Sequence, residues 1–299
     1  MREIALILLL LTPGWHIFDG PRSSLDNYLK PSPQKEVIVT KLPEIVSGPT
    51  LTGIDAEYQN LAKSVYSIDL GSNTVLNEKN RDEKLQIASL TKLMTAYLVL
   101  KDSPNLDEKV TIPNYTTQLG DALMGISIGE EISKRDLLTG MLLNSGSDAA
   151  TSLAIIDAGS VEGFVTKMNL AAESLNLANT HFANPVGWDN TGNYSSARDI
   201  IELSRILLRN DFFTEIVATT QKVVYTTAGR PIYLTNTNIL LDGKNYFGVK
   251  TGYTFGAGEC LVSLEKQNGH EVLTAVIGSA SRFSESNNIN SWIFTHFVW

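Results

Sequence analysis

Cysteine pairs, histidine clusters and basic stripes are all missing from this 299-residue chain, and each absence closes a class of function. There are 24 Lys and Arg against 32 Asp and Glu, giving a formal net charge of −8. No block of like charge is long enough to act as a tail, and a nucleic-acid binder would show a basic patch or stripe. Nucleic acid is therefore not expected as a partner. Cys260 is the single cysteine, so no internal disulfide can form. In a β-rich stretch it reads as a small buried apolar side chain. His16, His181, His270 and His296 are too scattered to match metal-ligand spacing, and all four read as structural or surface residues. No apolar run reaches the roughly 20 residues that span a bilayer.

What is present is a globular composition, with 43% hydrophobic residues, enough to bury a sizeable core. Arg2 precedes a short apolar run, Ile4 to Leu11, which ends before Pro13-Gly14. A positive residue before a run of this length reads as an export signal. No A-x-A cleavage site follows, so cleavage and retention as an N-terminal membrane tether both stay open. Residues 1–18 are read as this signal or anchor. Residues 19–57, with Pro21, Pro31, Pro33, Pro43 and Pro49, read as a linker or extension. Residues 58–299 read as one folded domain.

Within that domain, Ser64–Asp69 and Thr74–Asn77 flank a turn and predict a hairpin. Leu90, Leu93, Met94, Tyr97 and Leu98 have helical spacing and predict a helix from Ser89. Ser133 to Asp136 resembles a capping arrangement at the start of another. Helices are also predicted over Asp148–Asp157, Val161–Leu175, Ala197–Leu208 and Ser284–Phe297. Strands are predicted over Val223–Thr226, Tyr233–Thr235, Gly248–Tyr253, Cys260–Glu265 and Glu271–Ile277. Asn268-Gly269 supplies a hairpin turn. Strands at both ends with helices between them give an α/β class of the α+β type, an antiparallel sheet with its helical part inserted mid-chain.

Three short segments carry chemistry. Ser-x-x-Lys places both residues on one helix face about 5–6 Å apart at Cβ, where a lysine with a lowered pKa can take the serine proton. The pattern occurs at Ser32…Lys35, Ser89…Lys92 and Ser263…Lys266. Pro33 removes the first from any helix, and in a strand residues three apart face opposite ways, which removes the third. Ser89-Leu90-Thr91-Lys92 alone opens an amphipathic helix. Lys250-Thr251-Gly252 lies in a strand-like segment, where Lys250 offers a charge, Thr251 a hydroxyl and Gly252 close backbone access. Asn144-Ser145-Gly146-Ser147-Asp148 lies between two predicted helices. Ser147 or Asp148 can cap the second helix while Ser145 faces a cleft.

Taken together and in this order, the segments resemble the S-x-x-K, S-D-N and K-T-G set of penicillin-binding proteins and class A β-lactamases. Ile87 to Thr95, Phe182-Ala183-Asn184-Pro185-Val186-Gly187, Tyr194 to Asp199 and Gly248 to Thr254 narrow the resemblance. It is to the low-molecular-mass penicillin-binding D-alanyl-D-alanine carboxypeptidases, serine peptidase family S11, over roughly residues 58–299. The resemblance implies a β-lactamase/transpeptidase-like fold, an antiparallel sheet flanked by helices plus a helical lobe. It implies Ser89 as nucleophile, Lys92 as base, with Lys250 as the charge that lowers its pKa, and Ser145 as proton relay. Lys250, Thr251, Gly252, Tyr253 and Ser147 would bind substrate, with the backbone N–H groups of Ser89 and Tyr253 holding the oxyanion. The implied partners are peptidoglycan pentapeptide stems, with β-lactams as inhibitors, outside the cytoplasm and without metal or organic cofactor.

Two departures matter. Ser147 stands where the family has Asn, and a hydroxyl lacks the reach and the second hydrogen-bonding group of an amide. Trp188 stands where the family commonly has Leu. The first leaves open a catalytically impaired peptidoglycan-binding protein of the same fold. A D,D-endopeptidase is close in chemistry. A class A-type β-lactamase would need a deacylating glutamate, and Asn176–Tyr194 contains none.

Overall fold

The computed structural model describes residues 48–52 and 58–299. The expected N-terminal signal and most of the expected linker lie outside the described residues. Along the chain run β1 (Thr50–Leu51), β2 (Ser64–Asp69), β3 (Val75–Lys79), a 3₁₀ turn (Ala88–Thr91) and α1 (Lys92–Asp102). Then come β4 (Lys109–Thr111), β5 (Glu131–Ser133), α2 (Lys134–Leu143), α3 (Ser147–Ala158), α4 (Val161–Ser174), α5 (Ala197–Leu207) and α6 (Asp211–Val217). The last third holds β6 (Gln221–Tyr225), β7 (Pro231–Thr235), β8 (Tyr246–Thr254), β9 (Gly258–Gln267), β10 (His270–Ser279), α7 (Arg282–His296) and β11 (Phe297–Val298).

The main sheet has the order β3-β2-β10-β9-β8 and is antiparallel throughout. Both of its faces are covered, so β2 is buried along its whole length and alternate residues enter different cores. Val65, Val272 and Val276 pack with Ile289 and Ile293 of α7. Tyr66, Ile68, Leu273, Ala275 and Ile277 join the larger core, which includes Leu93 and Met94 of α1 and Ile200 and Ile201 of α5. The period of two in a strand is what sorts them. The α7 face is also fastened by hydroxyls: Thr274 Oγ1 bonds Ser67 at 2.9 Å and donates to Asn290 Oδ1 at 2.7 Å, and Ser263 and Ser286 share a bond of 2.6 Å.

The sequence-based elements correspond closely to these. Ser133 does cap α2, its Oγ accepting from the Asp136 N–H, and Ser160, Ser196 and Asn210 do the same for α4, α5 and α6. The helix predicted from Ser89 instead begins with a 3₁₀ turn, so the α-helix proper starts at Lys92. The pairs β4–β5 and β1–β11, with two or three residues in each strand, are too short to show a period of two. The unpredicted α6 did carry a cue: Asn210 followed by Phe213, Ile216 and Val217 at helical spacing, all three now buried. Residues 147–154 of α3 are all buried, so this part of the helix runs through the interior rather than along the surface. Cys260 is fully buried, and burial lifts its thiol to about 11, away from reactivity.

One buried group works against stability. Glu265 lies opposite Tyr246 in the sheet, and its Oε2 has no hydrogen-bond partner among the described residues. Burial raises its pKa, with Tyr246 and Asn290 offsetting this only in part. A carboxyl whose folded pKa is raised costs nothing below the unfolded value of about 4.3, and destabilises increasingly as pH climbs toward the folded value. Glu265→Gln is therefore expected to raise the melting temperature by a few degrees at pH 7 and to change it little at pH 4. Equal shifts at both pH values in a thermal scan would count against this account.

Candidate active site

Ser89 sits second in the 3₁₀ turn, half-buried, at an elbow between Ile87 and α1. The elbow is bent by Ala88, whose φ of +48° is a left-handed conformation that L-residues other than glycine adopt at a cost. Two glycines let other chain segments close on it. A Cβ on Gly187 would lie 2.0 Å from the Ala88 carbonyl oxygen, and one on Gly252 would lie 3.1 Å from the Ser89 nitrogen. The expected close backbone approach at Gly252 is thus used first by the protein itself, to dock β8 against the serine turn.

One turn of chain later, Lys92 points back at the serine. Its Nζ lies 3.0 Å from Ser89 Oγ, 2.8 Å from the Val186 carbonyl and 3.4 Å from Ser147 Oγ. The Val186 carbonyl is a partner that motif reading missed. It is held in place by Asn184, whose Oδ1 accepts from the N–H groups of Val186, Gly187 and Trp188. Thr95 of α1 donates to the Pro185 carbonyl at 2.7 Å. The Asn-Pro-x-Gly stretch is therefore a backbone cradle for the Lys92 ammonium.

Lys250 enters from β8 and is as buried as Lys92, each 1% exposed. Its Nζ donates to Ser145 Oγ at 2.9 Å and to the Thr251 carbonyl at 3.1 Å. Ser145 precedes α3 in a left-handed conformation, φ +58°, that turns its hydroxyl toward this lysine. Thr251 and Thr237 share a hydroxyl–hydroxyl bond of 2.6 Å, and Arg282 donates to the Gly252 carbonyl at 2.8 Å. Thr237 and Arg282 were not singled out from sequence, since neither sits in a recognisable motif. Both line the same cleft of about 380 Å³ as Ser89, Ser145, Ser147, Thr251, Gly252 and Tyr253.

Two buried lysines in one site cannot both carry charge cheaply. Burial lowers the pKa of Lys92 to about 7, and Asp121 and Asp148 hold it from falling further. For Lys250, burial comes first, then repulsion from Lys92 and Arg282, and its pKa lies well below the ordinary lysine value. Burial is the leading cause that frees Lys92 to act as a base near neutral pH. The like-charge repulsion between Lys92 and Lys250 disfavours double protonation of the pair. Asp148 is itself spoken for, its carboxylate accepting from the N–H groups of Met124, Gly125, Ile126 and Ala149.

All eight residues named from sequence thus meet at one place. The relay serine Ser145 bonds to Lys250, and it is Ser147 that reaches toward Lys92.

The sequence profile of the Peptidase_S11 family, described as D-alanyl-D-alanine carboxypeptidase, matches residues 52–281. The D-alanyl-D-alanine carboxypeptidase DacF of Bacillus subtilis is 34% identical over 231 residues, which is 76% of this chain and 59% of that protein. This chain therefore spans less than two thirds of the Bacillus relative. A D-alanyl-D-alanine endopeptidase of Pseudomonas aeruginosa is 31% identical over 256 residues, 83% of this chain and 82% of that one. The crystal structure of the Streptomyces K15 DD-transpeptidase matches with a TM-score of 0.75 at 34% identity, over 80% of this chain and 99% of its own. The profile match takes in the serine turn, the start of α3 and the β8 strand alike, and on that extent the chain belongs to the D-alanyl-D-alanine carboxypeptidase family, S11.

Proposed function

We propose that the chain is a serine-type D-Ala-D-Ala carboxypeptidase that trims peptidoglycan stem peptides outside the cytoplasm through an acyl-enzyme. The observation that carries this is the 3.0 Å contact between Ser89 Oγ and a lysine poised to be neutral near pH 7. Neutral Lys92 takes the Ser89 proton as Oγ attacks the carbonyl carbon of the penultimate D-Ala. The backbone N–H groups of Ser89 and Tyr253 receive the oxyanion. Lys250 and Thr251 hold the terminal carboxylate, with Thr237 and Arg282 at the same end of the cleft.

Once Lys92 is charged, repulsion makes the Lys250 proton easier to give up. It passes through Ser145 to the departing D-Ala amine as the C–N bond breaks. A water then attacks the ester and yields a proton to Lys250, while Ser89 leaves with the proton held on Lys92. The cycle closes with every proton returned. β-Lactams present the same acyl group, and by this route acylate Ser89.

The test is incubation of the purified protein with a fluorescent penicillin, with D-Ala release from a pentapeptide measured alongside. Labelling and release should both vanish in Ser89→Ala. A natural chain that neither labels nor turns over would defeat the proposal. The 3.4 Å separation of Ser147 from Lys92 favours a second reading, a peptidoglycan-binding protein with impaired turnover. In that case Ser147→Asn should restore labelling to an otherwise silent chain.

A further inference from the structure

Trp188 follows the Asn-Pro-x-Gly cradle, and its indole Nε1 donates to Asp121 Oδ1 at 2.9 Å across the cleft. The other oxygen of Asp121 accepts from the Gln118 N–H at 2.7 Å. Asp121 and Trp188 both line the cleft with Ser89, and both are half-buried. The segment carrying Asp121 is tied to the second motif as well, since the Ser147 N–H donates to the Ala122 carbonyl at 2.8 Å. The bond thus joins the loop that cradles Lys92 to the segment that backs Ser145 and Ser147.

We propose that Asp121 and Trp188 form a positioning pair that fixes an acidic charge beside the Ser89–Lys92 couple and so sets the pH below which acylation stops. The inference rests on the carboxypeptidase reading for its effect on acylation. Among the described residues the charged groups around the Ser89–Lys92 end of the cleft come from several elements, and one of them, Asp189, is engaged elsewhere, accepting from Thr254 Oγ1 and the Gly256 N–H. Asp121 approaches from the 118–122 segment and Asp148 from α3, while Lys250 approaches from β8 with Arg282 behind it. Asp148 has its charge spread over four backbone N–H groups. Among the described residues the Asp121 carboxylate accepts two bonds, one of them from Trp188, which helps to set its orientation.

The sign is fixed by electrostatics. A nearby carboxylate favours the charged ammonium, so Asp121 keeps Lys92 protonated to a higher pH than burial alone would allow. Water leaves the cleft as substrate enters, which makes the same charge count for more. Trp188→Phe keeps the ring but removes the N–H, so the carboxylate turns toward solvent and its hold on Lys92 weakens.

The experiment follows two readouts on the full-length protein. One is the titration of Lys92 by NMR of ¹³C-labelled lysine, assigned with Lys92→Met. The other is the pH dependence of fluorescent-penicillin labelling. Asp121→Asn should move both to lower pH, with labelling at pH 6 rising about threefold as the neutral fraction grows. Trp188→Phe should move both the same way by less, and it serves as the conservative variant should Asp121→Asn fold poorly. An unmoved Lys92 titration in both variants, or labelling reduced equally at every pH, would overturn the proposal. A natural chain that never labels would sink the carboxypeptidase reading. A downward shift in the Lys92 titration would still uphold the charge effect of Asp121.

Discussion

Replacing Lys92 with methionine is expected to slow acylation of Ser89 by about 10²–10⁴-fold, the usual contribution of a positioned general base. Methionine fills a similar volume in a site that is 1% exposed, so the core around it should survive. The substitution leaves the Val186 carbonyl without its 2.8 Å donor, which costs about 1–3 kcal/mol. That loss lowers stability without unfolding a domain of ordinary stability. The pH dependence separates a base from a mere packing residue. In the natural chain Lys92 is charged below about 7 and neutral above it, so labelling should rise through that pH and level off. In Lys92→Met the residual rate should show no such rise. A variant that labels at the natural rate would remove Lys92 from the mechanism.

Gly187→Ala should be the most damaging single methyl group in the cleft. The added Cβ would sit 2.0 Å from the Ala88 carbonyl oxygen and 2.9 Å from the Ser89 nitrogen, both backbone atoms that cannot rotate away. The φ of +98° is a conformation that alanine resists on its own account. Overpacking of about 1–3 kcal/mol and backbone strain of about 1–3 kcal/mol add at one point, against a total stability of about 5–15 kcal/mol. The expected result is a melting temperature lower by about 10 °C or more, with penicillin labelling lost as the serine turn is pushed aside. Gly229→Ala is the control, since Gly229 also has positive φ, +85°, but nothing lies within 4 Å of its Cβ position. It should cost only the conformational part. Equal effects of the two substitutions would show that the Gly187–Ala88 contact is not what matters.

The elements that build the cleft were largely legible because their cues are local. Ser133 announced α2 through its cap, Asn268-Gly269 announced the β9–β10 hairpin, and Leu90, Leu93 and Met94 announced the helix behind Ser89. The grouping of Ser89, Lys92, Ser145 and Lys250 came from resemblance, and local pattern alone could not have supplied it. What stayed hidden depends on contacts between distant segments. The Val186 carbonyl offers no side-chain identity to read. Thr237 and Arg282 gain meaning only once β8 lies beside them. The partner of Trp188 lies 67 residues away in a segment without regular structure. The leading part of burial in the Lys92 pKa stayed hidden for a related reason, because burial is a property of the whole fold.

The strand order β3-β2-β10-β9-β8 places the latest strand of the sheet at its centre. The pairing that joins the two halves runs from Val272 with Asp69 to Ile277 with Ser64, across some two hundred residues of sequence. Closing so long a loop must precede any reward from the pairs it makes, which slows folding. During synthesis from the N-terminus, the β2–β3 hairpin would wait with an unpaired inner edge until β10 arrived. Ser89 and Lys250 likewise cannot meet before β8 has been made, some 160 residues after the serine turn. The cleft is therefore assembled only after most of the domain has been made, since Ser89 comes from an early turn and Lys250 from a late strand.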